Sequence, residues 1–411
     1  MADESGPGTP RLLRALNDRA ALRLLLEHGR LTRTDVSALA GLSKPTASQM
    51  LARLEAAGLV VAVGTAAGGP GRAAQLYEVN PAAGHAVAFD ITHFAIQALI
   101  VDLGGRTVAE LQVPLPRRAR DAIARLDDVY TQVLDTANLQ RGHISHAVAG
   151  VSGAYDQQAG VLKHASHLPG WRVPELRERL SELLGADVEV ENDVNLVALA
   201  EHEAGAAVDV ETFVLLWSAS GLGAALVLGG ALHRGVTGSA GEVGFLPVPG
   251  EPLVRNVTRA TGGFDRAASG RAVLDLGRRF GLHGATAETL IRRAVAAGPE
   301  ADGFLDELAT RYATGLAAMV VVVDPALIVL SGPLLQAGGE PLRSRVEREV
   351  ASLGITAVPA RLGRITSDPV LAGARRMALA RLREAIFAST GQERPGTAQP
   401  ATRTSGRRNP R

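Results

Sequence analysis

Apolar and polar positions near the start of the chain repeat with the period of a helix. Four apolar residues recur at i, i+3, i+4 and i+7: Ala47, Met50, Leu51 and Leu54. This spacing predicts a helix with one buried face. Ser43 stands just before that helix and is a residue type that caps helix N-termini well.

The segments on either side of this helix complete a small motif. Thr32 and Asp35 form a capping-box pattern at the start of a shorter helix, which Gly41 is suited to end. The expected strands cover residues 59–63 and 75–79, and a glycine-rich turn covers residues 64–72. Two capped helices followed by a glycine-tipped hairpin predict a winged helix-turn-helix DNA-binding domain over residues 11–80.

The polar face of the second helix carries candidate DNA contacts, because that helix of the motif enters the major groove. The candidates are Lys44, Thr46, Ser48, Gln49 and Arg53 on the helix, and Arg72 in the wing. Residues 11–80 carry nine basic and five acidic side chains, a local charge of +4 that favours the phosphate backbone. The alternative is a helical packing module whose polar face is only solvated.

From residue 82 onward, patterns typical of strands alternate with helical periods. Strands are predicted over residues 86–91, 96–101, 147–153 and 188–190, and helices over 122–138, 176–184 and 196–204. The uncharged stretch Phe213–Leu232 is long enough to span a membrane, but its serines and glycines favour two buried strands around a turn. The alternation of strands and helices predicts an α/β architecture. Because the uncharged stretch favours buried strands, we expect no membrane partner.

Composition narrows the possible functions. The 411 residues include no cysteine, which excludes disulfides, thiolate metal sites and cysteine nucleophiles. The first ten residues show no apolar secretion signal, and we expect a cytoplasmic protein. The overall charge is only +1, so basic character is local; the tail 393–411, with five arginines and one glutamate, is expected to be disordered.

Two segments of the second half suit the binding of a polyol. Asn192 and Asp193 follow a predicted strand, where an amide and a carboxylate can bind vicinal hydroxyls. The alternative for that segment is an Asx-rich helix cap. Segments 218–225 and 235–245 are glycine-rich, which permits close approach of the backbone to an anion or a sugar ring.

In this order, the segments resemble the ROK family, named for repressors, open reading frames and kinases. VENDVN at 190–195 is similar to its ENDxN motif, 221–245 to its long glycine signature, and 167–171 and 323–334 to two further segments. The winged helix resembles the regulator branch. The resemblance implies a two-lobed, actin-like and sugar-kinase-like fold of the ribonuclease H-like ATPase type over residues 81–392.

The resemblance also implies a set of sugar-binding residues. Asn192, Asp193 and Glu242 stand where the family contacts sugar hydroxyls, and Asp193 aligns with the family's general base. Asp265 stands where a sugar-binding Glu is frequent, and His167 where Asn is usual.

Other positions depart from the kinases of the family. Thr92, His93 and Phe94 replace two glycines and a threonine of its phosphate-binding segment, and we expect these larger groups to fill space that a phosphate needs. The four zinc ligands of the family align with Phe245, Asn256, Thr258 and Gly263. We therefore expect no zinc, no cofactor and no catalytic residue.

Together these features predict a repressor of carbohydrate genes, a homodimer or homotetramer that binds a double-stranded operator and responds to a sugar or sugar derivative. One alternative is an active sugar kinase with a DNA-binding appendage, which Asp193 favours and residues 92–94 oppose. A second is a DNA-binding protein whose second domain only oligomerises. His167, Phe245 and Asp265 leave this second alternative open.

Overall fold

The structure is a computed structural model that describes residues 10–66, 73–115, 122–165, 168, 170–253, 263–353 and 356–389. The chain forms two compact units, Met1–Ala83 with Arg383–Arg411, and Gly84–Leu382. The proposed domain limits at residues 80 and 392 stay predictions. Four residues singled out above lie outside the described residues, as does the tail 393–411: Arg72, His167, Asn256 and Thr258.

The first unit has the elements of a winged helix. They are α1 Pro10–His28, β1 Leu31–Thr32, α2 Arg33–Leu39, α3 Lys44–Ala56, β2 Val60–Thr65 and β3 Gln75–Val79. The strands form an antiparallel sheet in the order β1-β3-β2. The sequence did not predict α1 or β1, whereas α2, α3 and the hairpin lie within a few residues of their predicted positions.

Capping and burial explain the two predicted helices. Thr32 caps α2 through a capping box with Asp35, and the Ser43 hydroxyl accepts the N–H of Thr46 at the start of α3. The apolar set at i, i+3, i+4 and i+7 is buried, with at most 2% exposure at any member. Packing of that face leaves the opposite face of α3 polar and accessible.

The second unit contains two sheets with helices packed on them. Its elements are β4 His85–Ile91, β5 Ala95–Asp102, β6 Thr107–Pro114, α4 Ala122–Ala137, β7 Ile144–Val151, β8 Ala154–Asp156, β9 Val161–Lys163, α5 Leu176–Leu184, β10 Asp187–Asn192, α6 Asp193–Ala204, β11 Phe213–Ser218, β12 Leu222–Leu228, β13 Ala231–His233, α7 Gly263–Ala268, α8 Gly270–Arg279, α9 Ala287–Ala297, α10 Asp302–Val323, β14 Leu327–Ser331, α11 Pro333–Leu353, β15 Ala360–Leu362 and α12 Pro369–Ser389. The residues of α12 from Arg383 belong to the first unit.

The first lobe is built on the sheet β10-β7-β4-β5-β6. β4 pairs antiparallel with β5 and parallel with β7, which in turn is parallel to β10. Helices α4 and α5 cover this sheet through a buried cluster that includes Phe89, Tyr130 and Leu180. The carboxyl ends of β4, β7 and β10 therefore meet at one edge, the usual ligand-binding edge of such sheets.

The second lobe is built on the sheet β13-β12-β11-β14-β15. The uncharged stretch Phe213–Leu232 forms paired antiparallel strands here, as predicted. Helix α6 packs on one face of the sheet, where Val197 and Phe213 belong to one buried cluster, and α10 contributes to the core on the other face. Across the described ranges, no helix is both long and apolar enough to cross a membrane.

Candidate functional site

Three neighbouring parallel strands bring polar side chains to one edge of the first lobe. Asp90 near the end of β4 lies opposite Gly150 of β7, and Asn192 at the end of β10 lies opposite Val151. Ser152 follows β7 directly, and Asp193 is the first residue of α6. The edge thus gathers two carboxyl groups, an amide and a hydroxyl, all groups that hydrogen-bond a polyol.

Asp193 is held by hydrogen bonds from the first turn of α6 and from Ser152 after β7. Its Oδ2 accepts a hydrogen bond from the Ser152 hydroxyl, and its Oδ1 accepts the N–H of Val194 at 2.9 Å. Burial raises the pKa of the Asp193 carboxyl. The backbone N–H of Asp193 and the Asn192 side chain also hydrogen-bond this carboxyl, so its contact to a ligand hydroxyl stays a prediction.

Asn192 has the structural role that the sequence left open as an alternative. Its Oδ1 accepts the N–H of Asn195 at 3.1 Å, which caps α6, and its Nδ2 donates to the Gly153 carbonyl at 3.2 Å. The Asn192 side chain also hydrogen-bonds the Asp193 carboxyl. The predicted sugar contact therefore stays a prediction, from a side chain whose orientation is fixed by the helix cap.

Glu242 joins the site electrostatically from the glycine-rich loop after β13. Burial raises the pKa of Glu242 to about 7, and the charge of Asp193 adds to that rise. Burial likewise raises the pKa of Asp90 to about 7, with smaller contributions from Asp193 and Asp368. Asp193 thus lies close enough to both groups to affect their protonation. A ligand whose hydroxyl groups donate hydrogen bonds to these carboxyl groups would offset their mutual repulsion.

Asp265 contacts the glycine-rich segments from the other side. Its Oδ1 accepts the N–H of Leu222 at 3.2 Å, and a Cβ placed on Gly244 would lie 3.4 Å from its Cβ. Burial raises the pKa of this carboxyl. The structure therefore gives Asp265 a role in holding the β11–β12 turn, while its sugar contact stays a prediction.

The segment that aligns with the phosphate-binding turn is closed on itself. The Thr92 hydroxyl accepts the N–H groups of Phe94 and Ala95 at 3.3 and 3.1 Å and donates to the Ala95 carbonyl at 3.0 Å. The Phe94 side chain is 64% exposed. Two backbone donors of this turn are thus engaged by the Thr92 hydroxyl, an arrangement that the sequence did not suggest.

Two of the four residues at the family's zinc positions, Phe245 and Gly263, lie within the described residues. The ring of Phe245 lies 5.3 Å from the ring of His164, and Gly263 begins α7. Neither residue has a side-chain ligand atom for zinc, whose usual ligands are thiolate, imidazole and carboxylate.

The predicted DNA-contacting residues on α3 fall into two groups. Lys44 and Gln49 are exposed, and Thr46 and Ser48 are partly exposed. Arg53 is also exposed, but it forms an ion pair with the buried Asp18 of α1, with Nη2 to Oδ1 at 2.6 Å and Nε to Oδ2 at 3.3 Å. This fork-like contact gives Arg53 a packing role, and a direct contact to DNA stays a prediction.

Several residues of these sites were not among the sequence candidates. Ser152 hydrogen-bonds Asp193, Asp368 lies near Asp90, and Arg234 pairs with Glu191. Ser152 lay inside the strand predicted over residues 147–153, so no pattern singled it out. The partners of Arg53 and Arg234 lie 35 and 43 residues away in the chain, and no local pattern marks them.

Two family models match the chain. The model described as "ROK family" matches residues 86–367, and "Winged helix-turn-helix DNA-binding" matches residues 14–61. A sequence relative, the N-acetylglucosamine repressor of Escherichia coli O157:H7, is 24% identical over 343 residues, which is 80% of this chain and 83% of the relative.

Solved structures agree with the two-part architecture. A ROK family transcriptional regulator, described as a homologue of the E. coli MLC protein, superposes with a TM-score of 0.73 at 20% identity, over 92% of this chain and 99% of that one. A ROK hexokinase from Thermus thermophilus superposes with a TM-score of 0.61 at 28% identity, over 73% of this chain and 99% of that one. The predicted combination of a winged helix with a sugar-kinase-like α/β fold is confirmed.

Proposed function

Because the chain belongs to the ROK family and begins with a winged helix-turn-helix, we propose that it is a sugar-responsive transcriptional repressor. The observation that carries the proposal is that one chain contains both a DNA-binding motif and a cluster of acidic residues, Asp90, Asp193 and Glu242. We call the region around this cluster the acidic pocket. In this proposal, α3 binds an operator upstream of carbohydrate genes, and the pocket binds a sugar or sugar derivative as effector.

The chemistry of the pocket favours a neutral, hydroxyl-rich ligand. Asp90, Asp193 and Glu242 are acceptors gathered in a region buried enough to raise all three pKa values. The three carboxyl groups would repel an anionic ligand, whereas the hydroxyl groups of a neutral ligand would donate hydrogen bonds to them. Hydrogen bonds to charged acceptors contribute about 1.5–3 kcal/mol each, enough for selective binding of a sugar.

We further propose that this pocket no longer transfers phosphate. The turn 92–95 uses two of its N–H groups on the Thr92 hydroxyl, so the turn does not present them to an ATP phosphate. The retained Asp193 is explained by hydroxyl recognition alone. The second candidate, an active sugar kinase, is favoured by Asp193 and by the likeness to the Thermus hexokinase.

Effector binding changes operator affinity only if the ligand prefers one of two states of the protein. The proposed ligand bridges the first lobe, through Asp193, and the loop that carries Glu242, so it favours a closed arrangement of the two. A coupling free energy of about 1–3 kcal/mol would change operator affinity roughly 5- to 150-fold. Homo-oligomerisation, which we also propose, would place two winged helices on adjacent half-sites.

Thermal-shift measurements with D-glucose, D-xylose, N-acetyl-D-glucosamine, their phosphates and ATP test the pocket. A sugar present at ~100 times its Kd adds about 2.7 kcal/mol of apparent stability. Operator sequences selected from random DNA then show whether the stabilising sugar releases the DNA. Absence of any selected sequence would contradict the DNA-binding half of the proposal.

A coupled assay for sugar-dependent ATP consumption separates the two candidates. We expect no turnover with hexoses or amino sugars. Turnover that the Asp193→Asn variant abolishes would establish the kinase instead. Elemental analysis of the same preparation, after removal of any affinity tag, should show no stoichiometric zinc; one zinc per chain would mean that the four aligned positions were misassigned.

A further inference from the structure

An ion pair between Arg234 and Glu191 joins the two lobes beside the acidic pocket. We infer that Arg234 is a positioning residue: its guanidinium holds the loop that carries Glu242 against the turn that carries Asn192 and Asp193. The effect on ligand binding rests on the proposed function, whereas the effect on the two segments does not.

Glu191 is the fixed side of this pair. It lies in β10 of the first lobe and is only 5% exposed. Its Oε1 accepts the N–H of Asn192 at 2.9 Å and the side-chain amide of Asn195 at 2.8 Å, while its Oε2 accepts the Arg234 Nε at 2.6 Å. One carboxylate therefore orients the start of α6 and receives a cation from the other lobe.

Arg234 is the first residue of the loop on the opposite side. It follows β13, the edge strand of the second sheet, and its carbonyl accepts the N–H of Ala240 at 3.1 Å. The side chain is 34% exposed and the Glu191 side chain 7%. Arg234 thus anchors both ends of a short loop segment. Its side chain binds Glu191, and its backbone carbonyl accepts the N–H of Ala240.

Close packing leaves this loop little freedom beyond the ion pair. A Cβ on Gly238 would lie 2.1 Å from the Tyr155 carbonyl oxygen, and a Cβ on Gly241 would lie 2.0 Å from the Ala224 carbonyl oxygen. The N–H of Ala224 donates to the Gly241 carbonyl at 2.8 Å. The two close approaches and the ion pair together fix the position of the backbone that leads to Glu242 relative to Asp193.

Loss of the Arg234 charge has two expected consequences. The buried Glu191 carboxylate keeps its negative charge without its cation, which is unfavourable in a region of low dielectric. Glu191 then holds Asn192 and Asn195 less firmly, and the Glu242 loop loses its contact to the first lobe. Both segments should open more often, although neither Arg234 nor Glu191 needs to touch the ligand.

Hydrogen exchange of ligand-free, full-length protein tests this directly. In Arg234→Gln, we expect amides of residues 192–195 and 235–244 to exchange about tenfold faster or more, with α4 and β5 unchanged. Arg234→Lys keeps the charge and should recover part of the protection. The matched control is Arg177→Gln, since Arg177 pairs with Asp187 at the other end of β10, at 2.9 Å.

The outcomes are distinguishable. Parent-like exchange in both segments of Arg234→Gln would overturn the inference, and so would equal acceleration in Arg177→Gln. Should Arg234→Gln unfold as a whole, the Arg234→Lys protein decides: selective acceleration in the two segments supports the inference, and acceleration spread over α4 and β5 overturns it.

Titration with D-glucose, D-xylose and N-acetyl-D-glucosamine adds the functional test. A sugar that the parent binds should bind Arg234→Gln roughly 10- to 100-fold more weakly, with operator affinity in the absence of sugar unchanged. Equal sugar affinity in parent and variant would refute the effect on the pocket. A parent that binds none of these sugars would count against the proposed function, while exchange still decides the role of Arg234.

Discussion

The two ends of α6 each carry a carboxylate, and the two carboxylates have different hydrogen-bond partners. Glu201 near the end is fully buried and accepts three backbone N–H groups, from Ala206 at 2.7 Å, Arg364 at 3.0 Å and Ile365 at 2.9 Å. Asp193 at the start accepts hydrogen bonds from Ser152, Val194, its own backbone N–H and the Asn192 side chain. Glu201 thus joins the end of α6 to the segment after β15, whereas the partners of Asp193 all lie at the candidate site.

Glu201→Gln should have the largest effect on stability. The new amide group presents hydrogens to backbone donors, so at least one buried N–H loses its acceptor. We expect a loss of about 3 kcal/mol in the free energy of unfolding. Denaturant unfolding measures it, and Glu203→Gln on the exposed side of the same helix is the control. A loss below that of the control would mean that the Glu201 contacts contribute little.

Asp193→Ala should have a large effect on ligand binding and a small one on the fold. Removal of a charge-assisted hydrogen bond costs roughly 1.5–3 kcal/mol of ligand affinity. Operator affinity without ligand should stay near that of the parent, while the response to ligand shifts to higher concentration. Glu242→Gln should act in the same direction more mildly, because the amide keeps one acceptor.

Operator titrations with and without the stabilising sugar provide the measurement. A response of Asp193→Ala at unchanged ligand concentrations would place the effector elsewhere. That result would favour the alternative in which the second domain only oligomerises.

The raised pKa values predict a pH dependence of stability. Asp90 and Glu242 have pKa values of about 7 in the folded protein, against ordinary values of 3.8 and 4.5. The folded state binds these protons more tightly than the unfolded state. Their stabilising contribution is therefore full below about pH 4 and is lost as pH rises towards about 7.

Asp90→Asn removes one of these titrations and should be relatively more stable at high pH. The difference in unfolding free energy from the parent should shift in favour of the variant by about 1–2 kcal/mol between pH 5 and pH 8. Unfolding curves across this range measure it, with exposed Asp135→Asn as control. A constant difference across the range would show that Asp90 does not titrate there.

Local patterns predicted the elements that are capped or strictly periodic. The helix over 176–184 has the predicted bounds. The strands β4 and β5 each begin one residue before the predicted start, and they were predictable because burial on both faces gives continuous apolar runs. Helix α1 was missed, since its apolar positions form no clear stripe, and so was the edge strand β6. The hairpin β8–β9, with three residues in each strand, is too short to leave a pattern.

The candidate site was predictable only where a motif carried it. The position of Asn192 and Asp193 after a predicted strand marked both as candidates, whereas Glu242 was identified only through the resemblance. Ion pairs such as Arg53–Asp18 join residues distant in the chain, so their partners depend on tertiary packing. In the structure Asn192 caps α6, whereas the sequence left both a helix cap and a sugar contact open for it.

The smallest expected effects distinguish the basic residues of α3. Lys44 is exposed at the start of the helix, whereas Arg53 is bound to the buried Asp18. Lys44→Ala should leave stability unchanged, weaken operator binding by about 1 kcal/mol and lower the salt slope by about 1, as for loss of one phosphate contact. Arg53→Ala should instead destabilise the first unit, because Asp18 loses its partner.

Operator titrations at several salt concentrations, paired with thermal unfolding, measure both effects. Gln49→Ala, a neutral change on the same face, is the control for charge: it should alter sequence preference and leave the salt slope unchanged. If Arg53→Ala lowers the salt slope as Lys44→Ala does and unfolds at the parent's temperature, Arg53 releases Asp18 to bind phosphate. If neither basic variant changes the slope, α3 is not the helix that binds DNA, because loss of a phosphate contact must reduce the number of counterions released.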